Sequence, residues 1–196
     1  MTAPPPQPPP TSNRPPTAGP PTGPPPPFPL RVSGKVITGF GRGSKELGIP
    51  TANIPVSGLS VGGSTEVESG VYFGWAGLKK EEGQRGEAVG AAGEGKEKVY
   101  KMVMSIGWNP FYKNTNRSVE VHILHTFPED FYGAHMKLLI LGFVRPEQDY
   151  GSLDALIADI KEDGEVAKRS LDREAYASYK GDEWLVAEGG WGDVGN

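Results

Sequence analysis

From Leu30 to Val144 the chain repeats one local pattern: short runs rich in β-branched and aromatic residues, separated by turn-forming stretches, with no helical period between them. LRVSGKVIT (30–38), SGVYFGWAGL (69–78), VYKMVMSIG (99–107), SVEVHILH (118–125) and HMKLLILGFV (135–144) all have strand length and strand composition. Strands without intervening helices do not build a parallel βαβ sheet, so the pattern points to an antiparallel barrel or sandwich. ANIPV (52–56) is a sixth, shorter candidate, and its proline assigns it to a sheet edge. Residues 79–98 mix glycine with charges of both signs and have no period. They are read as a surface insertion between paired strands, because the cost of closing a loop grows slowly with its length.

The two ends differ from this middle. Fifteen of the 20 prolines precede Leu30. Proline lacks a backbone donor and favours polyproline II, so residues 1–28 are expected to be a disordered arm, with an SH3- or WW-type partner as the functional alternative to a solvated tail. Near the other end, Ser152 has the character of an N-cap and Asp154 complements the helix dipole. Leu153, Leu156, Ile157 and Ile160 then fall on one helical face. Gly164 is expected to loosen that helix, and residues 172–179 could form another short one. The folded domain is therefore placed at 29–180, with 181–196 expected to be a flexible tail.

Several classes of chemistry are excluded early. The chain has no cysteine, hence no disulfide framework, thiolate site or cysteine nucleophile. Its net charge of −4 disfavours a basic nucleic-acid groove. No run reaches the ~18 apolar residues of a membrane helix, and the N-terminus lacks a secretory pattern, so a soluble cytoplasmic protein is expected, without excluding a mitochondria-associated pool. His122 and His125 are three apart in a strand and face opposite ways, so they cannot chelate one zinc ion. No serine lies in a G-x-S-x-G elbow.

The stretch from Gly39 to Asn53 carries the chemistry. Gly39, Gly41, Gly43 and Gly48 could let backbone N–H groups approach a phosphate closely. It is not a Walker A loop, since Ser44 precedes Lys45 after Gly43, and its glycine spacing is not that of a dinucleotide fingerprint. Pro50 biases Ile49 to extended geometry. In the extended segment that follows, Thr51 and Asn53 point the same way and present two neutral oxygens. Magnesium accepts such ligands when phosphates supply most of the charge; on spacing alone, ordinary turn hydrogen bonding is the favoured reading of the two residues.

Gly39, Gly41-Arg42-Gly43 and Gly48-Ile49-Pro50-Thr51-Ala52-Asn53 resemble the nucleotide-binding signature of riboflavin kinases. The resemblance continues through Gly70-Val71-Tyr72, Ser105-Ile106-Gly107-Trp108-Asn109-Pro110, Glu120-Val121-His122 and Phe143-Val144-Arg145-Pro146-Glu147, and covers roughly residues 30–170. It implies a six-stranded antiparallel Greek-key β-barrel with a C-terminal helical cover, in a monofunctional enzyme of fungal-like type. The implied activity transfers the ATP γ-phosphate to the riboflavin 5′-hydroxyl, giving FMN and ADP. Gly39, Gly41, Arg42, Gly43, Lys45, Gly48, Pro50 and Asn109 would bind nucleotide, and Thr51 and Asn53 would hold Mg²⁺, with Zn²⁺ as the alternative metal. Glu120, on the polar face of its strand opposite Val119, Val121 and Ile123, would be the general base; without the resemblance it reads as an exposed strand glutamate. Trp108, Phe111 and Tyr112 are candidates for one wall of the flavin slot; Ile157 and Ile160 could supply the other, though core is the favoured reading of both, and Arg145 either holds the helical cover or touches ligand. A monomer acting on riboflavin and ATP, with no nucleic acid and no membrane span, completes the expectation. A non-catalytic flavin- or nucleotide-binding barrel is the alternative, though it would have no use for Glu120 beside a metal site.

Overall fold

The computed structural model describes residues 14–37, 51–55, 67–79, 98–108, 117–127 and 131–187. Six strands form one antiparallel sheet: β1 (Leu30–Lys35), β2 (Ala52–Pro55), β3 (Gly70–Lys79), β4 (Lys98–Trp108), β5 (Arg117–Ile123) and β6 (His135–Pro146). The strand order is β1-β6-β3-β4-β5-β2. Strands β3, β4 and β5 are sequential neighbours, and β6 returns beside β3, which is the Greek-key connection. The sheet curls until its ends meet at one bridge, where the Ile37 amide donates to the Asn53 carbonyl at 2.9 Å. As expected of a proline-interrupted run, β2 lies at the end of the sheet order. The ends of the 79–98 insertion emerge side by side, with Leu78 opposite Lys98, while residues 80–97 lie outside the described residues.

Curling gives the sheet two differently filled faces. Inside, Val32, Ile54, Tyr72, Met104, Val121 and Leu138 belong to one apolar cluster. Outside, Val71, Phe73, Trp75, Val103, Leu139 and Leu141 pack against the C-terminal elements. Strands β3 and β6 are therefore covered on both faces and read as almost unbroken apolar runs. The outer cover is α1 (Leu153–Leu171), α2 (Glu174–Ala177), a 3₁₀ turn (Ser178–Gly181) and α3 (Glu183–Val186). The Ser152 side chain accepts from the Ala155 amide at 3.2 Å, as its capping position requires. Gly164 does not loosen α1, which runs through it; a Cβ there would meet only Leu124, at 3.3 Å.

Three further expectations change. Residues 14–28 are not a disordered arm but a strap along α1; residues 1–13 lie outside the described residues. Proline removes donors but leaves carbonyl acceptors, and the helices supply the donors. Arg169 Nε donates to the Pro16 carbonyl at 2.6 Å, Arg173 donates to the carbonyls of Ala18 and Gly19, and the Tyr176 hydroxyl donates to Pro20 at 3.0 Å. The Ala18 amide donates back to Ser170 Oγ at 2.8 Å. The tail is also engaged as far as Ala187: Leu185 is fully buried, and Trp184 Nε1 donates to the Leu138 carbonyl at 3.2 Å. A single helical turn has no period to reveal it, so sequence patterning missed it. Finally, Ile157 and Ile160 are not core, and neither are Leu153 and Leu156 on the same helical face. Leu153 is 55% exposed and the other three are half-buried, whereas Val166, Ala167 and Leu171 in the second half of α1 are buried.

Gly74 is required by close approach. A Cβ on Gly74 would lie 2.0 Å from the Leu139 carbonyl oxygen, where the β3–β6 register shifts. The Gly74→Ala variant is therefore expected to lose about 3 kcal/mol of stability in urea unfolding, the upper range for overpacking a core; a loss within error would show that the ladder can give there.

Candidate active site

Residues paired directly across an antiparallel ladder project to the same face. Asn53 is opposite Glu120, Glu120 opposite Ser105, Ser105 opposite Val71 and Val71 opposite Arg145. A belt thus crosses five strands on the outer face. Thr51 precedes Asn53 by two and shares that face. Residues far apart in sequence are brought together by topology: Thr51 enters from β2 and Glu120 from β5.

Below the first half of α1 this belt opens into a cavity of about 650 Å³. Its sheet wall includes Val71, Val103, Ser105, Glu120 and His122, its helix wall Leu156 and Ile160, and Thr51 lies at its edge. Glu120 is exposed to it, whereas Val119, Val121 and Ile123 are buried in the barrel, as the alternation predicts. Asn53 is 6% exposed and adjoins the cavity wall rather than forming it. His122 faces the cavity, while His125, beyond the strand end, stacks on Tyr100 with ring centroids 4.8 Å apart. The histidines therefore diverge, in line with the exclusion of a shared zinc. Gly39, Gly41, Arg42, Gly43, Lys45, Gly48, Pro50, Asn109, Phe111 and Tyr112 lie outside the described residues, and Trp108 is described only as backbone of β4.

At the far rim Arg145 holds the helical cover, one of its two expected roles, but its partners were missed. Arg145 leaves β6 and grips Asp163 of α1 with both carboxylate oxygens, through Nε at 3.0 and 3.1 Å and Nη2 at 2.7 Å. The same Nη2 is 3.1 Å from Asp159, which accepts from the Tyr150 hydroxyl. Arg14 of the strap pairs with both aspartates. Burial pushes the Asp163 carboxyl up, an effect opposed by Arg145 and Arg14. Burial also works against the Arg145 charge, but the bonds to Asp163 outweigh it and raise its pKa. The legible signal was the i, i+4 spacing of Asp159 and Asp163, which puts both on one helix face. Nearby, the Glu147 carboxylate covers Gly107 so closely that a Cβ there would be 2.3 Å from Oε1.

The cavity thus has an apolar slot between sheet and helix and a polar end bearing a hydroxyl, a carboxylate and an imidazole. That suits a flat apolar ring with a hydroxylated tail. Residues 26–171 match the model of the flavokinase family, described as riboflavin kinase. The chain belongs to the riboflavin kinase family. It is 54% identical over 155 residues to the riboflavin kinase of Pyricularia oryzae, covering 79% of this chain and 77% of that protein. It is 50% identical over 181 residues to that of Aspergillus fumigatus, covering 80% and 83%. Among solved structures, the riboflavin kinase of Trypanosoma brucei superposes with a TM-score of 0.58 at 26% identity, covering 80% of this chain and 88% of that one. The matched family region includes Thr51, Asn53, Glu120 and Arg145, and it ends at the last residue of α1.

Tyr150 gives a test of the rim. Burial first, and then its hydrogen bond to Asp159, push its pKa up to about 12, above the unfolded value of about 10. A pKa raised in the fold means that the proton is held more tightly there. Its stabilising contribution is therefore complete below about pH 10 and is lost as pH rises from there through about 12. The stability difference between wild type and Tyr150→Phe should stay constant through neutral pH and shrink across that window; a flat difference across the window would contradict it.

Proposed function

We propose that this chain transfers the γ-phosphate of ATP to the 5′-hydroxyl of riboflavin, producing FMN and ADP. The observation that carries this assignment is the place of Glu120. It is directly opposite Asn53 in the ladder, and it shares with Thr51 a cavity of flavin-accommodating size that has both apolar and polar walls. The flavin ring lies between Val71 and Val103 on the sheet and Leu156 and Ile160 on α1, and the ribityl chain runs toward Glu120. Glu120 accepts the proton of the 5′-hydroxyl as that oxygen bonds the γ-phosphorus and the bond to the ADP oxygen breaks. Phosphoryl transfer has a loose transition state, so positioning and charge neutralisation supply most of the acceleration, and no phosphoenzyme is needed.

Thr51 and Asn53 offer neutral, hard oxygens on one face, which fit Mg²⁺ with nucleotide phosphates as the main charge donors. Among the described residues there is no cluster of three His, Asp or Glu that would hold a metal unaided. The donor chemistry therefore favours Mg²⁺ over Zn²⁺, which prefers nitrogen and sulfur. Bound with ATP, the ion would neutralise phosphate charge. Residues 39–48, for which the resemblance implies a phosphate-covering loop, complete the assignment.

We also take the chain to act in the cytoplasm as a monomer on small molecules. No helix among the described residues is long and apolar enough to cross a membrane, and the net charge of −4 is unsuited to nucleic acid. An SH3- or WW-type partner would have to find its ligand outside residues 16–20, whose carbonyls face donors on the helices.

Incubation with riboflavin and Mg-ATP should yield FMN and ADP in equal amounts. Glu120→Gln should keep the melting temperature and lose about 100-fold or more in kcat, the scale of a general base. Thr51→Ala should chiefly raise the KM for Mg-ATP. Near wild-type turnover by Glu120→Gln would remove the base assignment, while riboflavin binding without product in the wild type would favour a non-catalytic module.

A further inference from the structure

Arg14 is the one basic residue among residues 1–30, and it lies outside the 26–171 region that matches the family. Its guanidinium nevertheless bonds both Asp159 and Asp163, and its side chain is only 10% exposed. The strap that carries it is anchored separately, through the carbonyls of Pro16, Ala18 and Gly19. Arg14 is thus delivered to the aspartates by a fixed backbone.

At that point two carboxylates from α1 meet two guanidiniums, one from β6 and one from the strap. Without Arg14, Arg145 alone would face both carboxylates, one turn apart on the helix, and one buried negative charge would be left over. Charges so placed are costly, and the helix can relieve the cost by shifting away from the sheet. Leu156, Ile160 and Asp163 are on the same cavity-facing side of α1, so any such shift moves the helix wall of the slot. Resting on the kinase assignment above, we propose that Arg14 is a positioning residue for riboflavin: it balances Asp159 and Asp163 and so holds the first half of α1 at the spacing the flavin ring requires. Glu120 and Thr51, on the sheet side, do not depend on it.

The test is steady-state kinetics of the full chain with riboflavin and Mg-ATP, alongside thermal melts, for wild type, Arg14→Met and Arg14→Met/Asp159→Asn. Arg14→Met is expected to raise the riboflavin KM about tenfold, with kcat and the ATP KM within about twofold, as for loosening one wall of a site. The double variant restores charge balance while keeping an acceptor at 159, and should return the riboflavin KM to near wild type. An unchanged riboflavin KM in Arg14→Met, or equal rises for both substrates, would overturn the inference. If Arg14→Met does not fold, the double variant decides: a riboflavin KM that stays raised, or loss of the fold, overturns it. Both results are separate from the kinase assignment, which FMN formation by wild type tests; no FMN would remove that assignment and this inference with it.

Discussion

Asp163 sets how the helical cover meets the sheet. Its carboxylate is buried beneath α1, where burial opposes ionisation, and its charge is answered by the fork of Arg145 and by Arg14. A buried ion pair is poor evidence of stability, because apolar groups of similar volume often do as well. What this one fixes is spacing. Beyond Asp163, Ala167 and Leu171 pack down on the outer face of the sheet, and Val166 is buried with them. Before it, Leu156 and Ile160 stand off and bound the cavity. One charge cluster thus divides a single helix into a packed half and a ligand-facing half.

The sheet supplies the other wall through its topology. The Greek-key order puts β5 between β4 and β2, so Glu120 has Ser105 on one side and Asn53 on the other. Alternation along β5 sends its valines inward and its glutamate outward. Closure at Ile37 and Asn53 then brings the chain that leads into the glycine-rich stretch back to the same edge. The phosphate-handling region proposed here and the acceptor slot can therefore belong to one sheet.

Much of this was legible because it is local. Strand runs, the alternation around Glu120, the edge character of β2 and the Ser152 cap all follow from neighbours within a few residues. The family resemblance suggested the roles proposed for Thr51, Asn53 and Glu120, which spacing alone left open. What was not legible depends on partners distant in sequence. A proline-rich strap looks disordered until arginines on α1 and α2 meet its carbonyls. Trp184 and Leu185 form too short a helix to show a period. The apolar stripe from Leu153 to Ile160 looks like core, because sequence does not distinguish a face that packs on a sheet from one that lines a slot. The spacing of Asp159 and Asp163 was visible, but nothing local identified Arg14 as their counter-charge.

The most direct measurement is a crystal structure of the chain with riboflavin and ADP bound. The account predicts the flavin ring between Val71 and Val103 on one side and Leu156 and Ile160 on the other, with the 5′-hydroxyl within hydrogen-bonding reach of Glu120. A ring bound inside the barrel, or against the aromatic cluster of Tyr100, His125 and Phe127, would contradict it.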